Sequence, residues 1–341
     1  VKTRVVSRIL VLAFALTSIP SGYAVAAAGV RPLGALSCEA NFSASLRAER
    51  VVPVAAPDEV NARFPNPPGS ANTHHFSAVT FKKLWREMTA RFSGRSDVSL
   101  SKWSDQTPLD AKILKIKITS RENSSTPPLR VLITGGVHGN EPLGLLTALD
   151  LVDVFASGFE GRPVELTILP ALNVDGLASN RRRLSDGQDL NRLLDDEEPS
   201  AKVTRIKEAI GTQPFDLSLD LHGSHERKQF FVIKQGDDRG LAERAIRVLP
   251  NSLRLKADNG DDTGPVGVSG LRGYEPGRYQ LEAPGISTSV NKGTLKSYMS
   301  GLGTRYAYTL EYPGQISFEK ARRENLKLAL AMIREALRLQ P

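Results

Sequence analysis

From Phe76 onward, apolar residues recur at regular spacings. Phe76 to Phe92 has helical spacing and predicts an amphipathic helix. Lys112 to Thr119 alternates apolar and polar positions, which predicts a half-buried strand. Thr126-Pro127-Pro128 marks a turn. Arg130 to Thr134 is a short β-branched run ending in Gly135-Gly136, and a helical stretch, Pro142 to Phe155, follows it. Glu165 to Leu172 predicts a further strand, with a helix at 202–210 downstream. Asp216 to Leu221, Phe230 to Lys234 and Tyr306 to Glu311 predict strands, and Phe318 to Leu339 a long amphipathic helix. Strands alternating with helices imply an α/β fold whose sheet is covered on both faces. No internal repeat or second domain is visible.

The first 75 residues differ. Lys2, Arg4 and Arg8 precede a mostly apolar run, Ile9 to Ile19, and Ser21 to Ala28 supplies small residues. Residues 1–28 therefore read as a signal peptide, with Ala24-Val25-Ala26 or Ala26-Ala27-Ala28 as the cleavage site. The apolar run of about 11 residues falls short of the ~20 that span a bilayer, so no membrane span is expected after cleavage. Residues 29–75 carry Ala, Pro, Asn and Ser with weak periodicity and read as a linker or extended arm. Residues 76–341 then form the main folded domain. Cys38 is the one cysteine, so no internal disulfide is expected.

Composition adds modest constraints. The chain is 40% hydrophobic and 24% charged, as in soluble globular proteins. Its formal charge of +8 falls to +5 when Lys2, Arg4 and Arg8 are removed. A mildly basic exported protein would be drawn to anionic surfaces such as cell-wall polymers. Nucleic acid is a poor partner, because no basic stripe interleaves with aromatics.

Candidate chemistry falls at the strand ends, where α/β sheets bind ligands. His138-Gly-Asn-Glu141 follows one strand and Asn173-Val-Asp-Gly176 another. His222 ends a third and Glu311 a fourth. Two histidines and a carboxylate, leaving one position open, are a hydrolytic zinc set, and His138, Glu141 and His222 supply it. Asp220, two residues before His222 on the same strand face, could orient a ligand. H-x-x-E alone is also a common solvated pair, and His225 is a substitute ligand; His74 and His75 lie in the weakly patterned arm. Glu311 sits in an apolar strand, where a carboxylate is costly without a purpose. It reads as a general base for zinc-activated water, or as a strand-end glutamate paired with arginine. Asn180-Arg181-Arg182-Arg183 and Asp189-Leu190-Asn191-Arg192 flank a polar loop. A guanidinium there can stabilise an oxyanion, and an Asn–Arg pair can hold a carboxylate.

Together these motifs resemble the zinc carboxypeptidase family. HGNE (138–141), NVDG (173–176), the arginine cluster, DLNR (189–192), DLHG (220–223) and TLEYPG (309–314) stand in that family's order, over roughly residues 110–315. The resemblance implies a central mixed, mostly parallel eight-stranded sheet between helices. It implies one zinc ion per chain on His138, Glu141 and His222, with Glu311 as the catalytic carboxylate. Asn191 and Arg192 would hold a terminal carboxylate, and one of Arg181, Arg182 and Arg183 would polarise the scissile carbonyl, Arg182 being the candidate by its spacing to Asn191. Asn140 stands where the digestive-type enzymes have arginine, and Leu193-Leu194 replaces the usual Asn-Phe. HGNEP looks more like the deacylase branch (aspartoacylase and succinylglutamate desuccinylase) and the bacterial murein peptide amidases. Lys292 to Tyr298 resembles the segment that shapes the amidases' specificity pocket. Lys296, Ser297 and Tyr298 are its pocket candidates, and a basic residue there would suit an acidic or zwitterionic side chain.

The expected function is a periplasmic or secreted bacterial zinc metallopeptidase. It would cleave a peptide or isopeptide bond in cell-wall (murein) stem peptides, with Glu311 as base and then acid. The alternatives are an N-acyl amino acid deacylase and, in a different class, a metal-free binding module on the same fold. Intact ligands and an intact Glu311 argue against the last.

Overall fold

The computed structural model describes residues 86, 90, 92–96, 98–102, 114–119, 126–156, 159, 163–224, 227–256, 280–289 and 291–340. The leader (1–28), the arm (29–75) and its Cys38, most of the 76–92 helix, and His225 lie outside the described residues.

The strands are β1 (Val98–Lys102), β2 (Leu114–Thr119), β3 (Leu129–Gly135), β4 (Val164–Leu169), β5 (Leu217–Ser224), β6 (Phe231–Lys234), β7 (Gln280–Ala283), β8 (Ile286–Thr288) and β9 (Tyr306–Pro313). The helices are α1 (Pro142–Ala156), α2 (Val174–Ser179), α3 (Ala201–Ile210), α4 (Leu241–Ile246), α5 (Leu295–Gly301) and α6 (Phe318–Arg338). All strands join one nine-stranded sheet, ordered β1-β2-β4-β3-β5-β9-β6-β8-β7. Among the described residues the sheet has nine strands, where eight were expected. The central pairs β4–β3, β3–β5 and β5–β9 are parallel, as is β6–β8, and the remaining pairs are antiparallel.

Alternation along the central strands separates two cores. Val131, Ile133, Leu219, Leu221 and Leu310 face α1, α4 and α6 in the larger cluster. Leu132, Leu169 and Ala307 face α3 and α5 in the smaller one. Thr134, Asp220, His222, Thr309 and Glu311 fall on that second face by alternation, towards the carboxyl ends of their strands. The polar run on a buried strand face is thus confined to one side and one end of the sheet.

β4 stops at Leu169, three residues before the predicted end, because Pro170 has no amide hydrogen for the ladder. The chain turns instead across β3. Leu172 N donates to Gly135 O (3.1 Å) and Asn173 N to Gly136 O (2.8 Å). That bend delivers Asn173 to the end of β3.

Helices α1 and α6 are joined by a buried ion pair. Arg322 donates through Nε to Asp150 Oδ2 (2.7 Å) and through Nη2 to Oδ1 (2.5 Å). Burial pushes the Asp150 carboxyl above its ordinary value, while Arg322 opposes the shift. Replacing Arg322 by Met leaves this carboxylate buried alone and should cost about 3–5 kcal/mol of unfolding free energy. The double change Asp150→Leu/Arg322→Met should recover most of the loss in denaturant titrations.

Candidate metal centre

The site is assembled on turns at the ends of β3, β4, β5 and β9. After β3, Gly136 adopts φ 61°, and Glu141 N donates to His138 O (3.2 Å), closing a tight turn before Pro142 opens α1. Proline suits a first helical position, where its missing N–H is not needed. Gly139 lies against Gly176. A Cβ on Gly139 would fall 1.8 Å from the Gly176 carbonyl carbon, so the H-G-N-E turn and the N-V-D-G helix meet through two bare backbones. Asn173 caps α2: its Oδ1 accepts from Gly176 N (3.0 Å) and its Nδ2 donates to Arg182 O (3.2 Å). The N-V-D-G motif therefore fixes the backbone of the arginine segment.

Glu141 is the centre of the constellation. Its Oε1 lies 2.8 Å from His138 Nδ1 and its Oε2 3.1 Å from His222 Nδ1. Gly223 N donates to Oε2 as well (3.0 Å). The two imidazoles meet edge to face, with centroids 4.7 Å apart. All three residues are buried, and one ligand atom from each lies within 4.8 Å of the others. Burial alone would raise the Glu141 carboxyl, but His138 and His222 hold it well below the usual range. Burial would lower His222, but Asp220 and Glu141 raise it well above the ordinary imidazole value.

The outer ring nitrogens are also engaged by carboxylates. His138 Nε2 lies 3.2 Å from Asp189 Oδ1, and His222 Nε2 lies 2.7 Å from Asp220 Oδ2. Thr134 Oγ1 in turn donates to Asp220 Oδ1 (2.8 Å). Each histidine thus turns Nδ1 towards Glu141 and gives Nε2 to an aspartate. Carboxylate-oriented histidines of this kind support metal ligation, and two imidazoles with one carboxylate suit zinc. The donor set is consistent with one zinc ion.

The arginines diverge. Arg182 donates from Nε and Nη2 to Asp189 Oδ2 (3.2 and 3.1 Å), and its Nη1 lies 3.1 Å from His138 Nδ1 and 3.5 Å from Glu141 Oε1. Arg181 turns to Ser179 Oγ (2.9 Å) and Arg183 to Gly187 O (3.0 Å). Glu311 lies directly across the ladder from His222 and is partly buried. Burial pushes its carboxyl up to about 7; His222 opposes this and Glu141 adds to it.

Asn191 and Arg192 form a single 3-10 turn whose cap is Asp189, accepting from Asn191 N (3.0 Å). Asn191 Oδ1 accepts from Leu295 N (3.0 Å), which ties this turn to the start of α5. Gly293, with φ 78°, packs on the Arg192 backbone; a Cβ there would lie 2.3 Å from Arg192 O. On α5 the pocket candidates separate. Lys296 is buried and its Nζ donates to Ser289 O (2.5 Å) and Gln235 Oε1 (3.2 Å). Tyr298, two positions on, turns towards α3, where Lys207 Nζ lies 5.4 Å from its ring centroid. Ser297 N is engaged in the Thr294 cap. Sequence reasoning did not assign roles to Asp189 and Thr134. Asp189 was visible two residues before Asn191, whereas Thr134 reads from sequence as an ordinary strand residue.

The Succinylglutamate desuccinylase/Aspartoacylase catalytic domain family matches residues 127–264. Carboxypeptidase 2 of Trichophyton tonsurans is 33% identical over 148 residues, 42% of this chain and 26% of that protein. Carboxypeptidase 2 of Trichophyton rubrum is 33% identical over 115 residues, 32% of this chain and 21% of that protein. The chain thus spans about a quarter of the length of the curated relatives it matches. Among solved structures, a metallo-carboxypeptidase from Burkholderia cenocepacia superposes with TM-score 0.55 at 16% identity, covering 76% of this chain and 70% of that one. A metallo-carboxypeptidase from Pseudomonas aeruginosa gives TM-score 0.52 at 18% identity, over 75% and 69%.

Over residues 127–264 the chain resembles the Succinylglutamate desuccinylase/Aspartoacylase catalytic domain, and its fold is that of the metallo-carboxypeptidases. The structural likenesses carry the fold, and the local sequence match lies over the turns that bear His138, Glu141 and His222.

Asp189 spans His138, Arg182 and the Asn191 turn. Asp189→Asn should therefore weaken zinc binding by about 10–100-fold, measured by competition with a chromogenic chelator. Unaltered affinity would remove Asp189 from the support of His138.

Proposed function

We propose that the protein is a zinc-dependent metallopeptidase that hydrolyses a peptide or isopeptide bond. The observation that carries this reading is the convergence of His138, Glu141, His222, Arg182 and Glu311 on one end of one sheet face. His138, Glu141 and His222 would hold the ion, which when bound supplies Lewis acidity and a lowered pKa for water.

The protein's own groups supply the remaining chemistry. Glu311, raised to about 7 by burial, is suited to take a proton from the attacking water and return it to the leaving nitrogen. Arg182, held by Asp189 beside His138, is placed to stabilise negative charge developing on the carbonyl oxygen. Burial would lower the Arg182 guanidinium, but Asp189 and Glu141 raise it above its ordinary value. Asn191 and Arg192 would bind a substrate carboxylate, with Asp189 setting their turn.

The preferred substrate is a murein stem peptide. The reading of residues 1–28 as a leader, and the formal charge of +5 left when Lys2, Arg4 and Arg8 are removed from the full +8, favour an exported protein near an anionic wall. Its location would be periplasmic or secreted, with residues 76–341 as the catalytic domain. The second reading, an N-acyl amino acid deacylase, is favoured by the family match over residues 127–264 and by Asn140 in the ligand turn.

Incubating the protein with purified muropeptides, ordinary C-terminal peptides and N-acyl amino acids, read by mass spectrometry, separates these substrates. Release of an amino acid from muropeptides supports the first reading; turnover of N-acyl amino acids alone overturns it. Glu311→Gln should retain zinc while hydrolysis falls by about 10²–10⁴-fold. Near-wild-type turnover would remove Glu311 from proton transfer.

A further inference from the structure

Thr134 ends the apolar run Val131-Leu132-Ile133 of β3 and is fully buried. A valine would fill nearly the same volume, so the hydroxyl needs its own account. Buried without a partner, it would cost stability. Two acceptors lie near it: Leu219 O at 3.5 Å and Asp220 Oδ1 at 2.8 Å. The first distance is at the weak limit and the second is that of an ordinary hydroxyl bond, so the proton goes to Asp220. Thr134 and Asp220 are direct partners in the β3–β5 ladder. The sheet itself, rather than a loop, therefore sets this bond.

Asp220 has one other bond to make. Its Oδ2 lies 2.7 Å from His222 Nε2, and the Nδ1 of that imidazole faces Glu141 Oε2 at 3.1 Å. A carboxylate with one oxygen bound can still rotate about its side-chain bonds. Thr134 pins the oxygen that His222 leaves unused. The chain Thr134–Asp220–His222 is buried throughout.

The other histidine is supported differently. Asp189 reaches His138 Nε2 at 3.2 Å, but the same carboxylate also accepts from Asn191 N and twice from Arg182. It stands on a turn, and its side chain is 13% exposed against 1% for Asp220. The tie to His222 is the shorter and the more buried of the two, and Arg182 takes no share in it.

We infer that Thr134 is a positioning residue of the metal centre: its hydroxyl fixes the Asp220 carboxylate against His222 and so sets how tightly the site holds zinc. This rests on the reading of His138, Glu141 and His222 as zinc ligands. Thr134 acts through Asp220, and loss of its hydroxyl loosens the imidazole without altering a ligand.

The test is zinc affinity of the purified full chain, measured by competition with a chromogenic chelator. Thr134→Val should weaken binding about 10-fold, the lower end of what losing an orienting partner costs. Thr134→Ser, which keeps the hydroxyl, should bind as wild type does. The visible absorption bands of the cobalt-loaded protein should change in the valine variant and return in the serine variant. Denaturant unfolding of the zinc-free proteins separates a merely structural role. A valine variant that loses unfolding free energy yet keeps wild-type affinity and wild-type cobalt bands overturns the inference. So does a serine variant as weak as the valine one, because the hydroxyl would then not be the active group. If the valine variant fails to fold, Thr134→Ala is read in the same way, and the serine result still decides. Wild-type protein that folds but binds no zinc removes the ligand reading and this inference together; tight wild-type binding with an indifferent valine variant removes this inference alone.

Discussion

Glu141 is a carboxylate withdrawn from water and surrounded by two imidazoles. Its oxygens meet His138 Nδ1, His222 Nδ1 and Gly223 N, and its exposure is 2%. Burying a carboxylate is tolerable only where donors or cations replace its hydration. The turn before α1, the end of β5 and the backbone beyond it are all committed to meeting that demand. The same demand extends outward, because the imidazoles must be oriented to serve it. Asp189 and Asp220 take their outer nitrogens, and Thr134 takes the second oxygen of Asp220.

The fold provides this by bringing strand ends together. β3, β5 and β9 are adjacent and parallel, so His138, His222 and Glu311 arrive at the same end. The neighbouring antiparallel strand β6 and short strands β7 and β8 widen the second face beyond Glu311, where Ser287 lies. Close backbone approach fixes the remaining loops. Gly139 on Gly176 and Gly293 on Arg192 leave no space for a side chain. One contact sets the ligand turn against the arginine segment, and the other sets α5 against the Asn191 turn.

Much of this was legible in the sequence where one interaction dominates over many residues. The apolar runs of β3, β5 and β9 mark buried parallel strands, and the long periodicity of α6 marks its helix. The short elements were not legible. β7 and β8 have four and three residues, too few for alternation to show, and β1 offers only two apolar positions, Val98 and Leu100. The ligand positions were readable from residue type at strand ends, but their support was not. Thr134 looks like any buried strand threonine until Asp220 is placed beside it, 86 residues away in sequence. Tyr298 and Lys296 are close in sequence, yet α5 turns them to different neighbours, because positions two apart on a helix do not share a face.

The central claim is that the buried carboxylate between two oriented histidines holds a metal ion. Its most direct test is the metal content of purified protein by inductively coupled plasma mass spectrometry, with His222→Ala as the control. The account predicts about one zinc per chain in the wild type and loss of tightly bound zinc in the variant. Wild-type protein that stays folded and takes up no transition metal, or a variant that retains zinc in full, would contradict it.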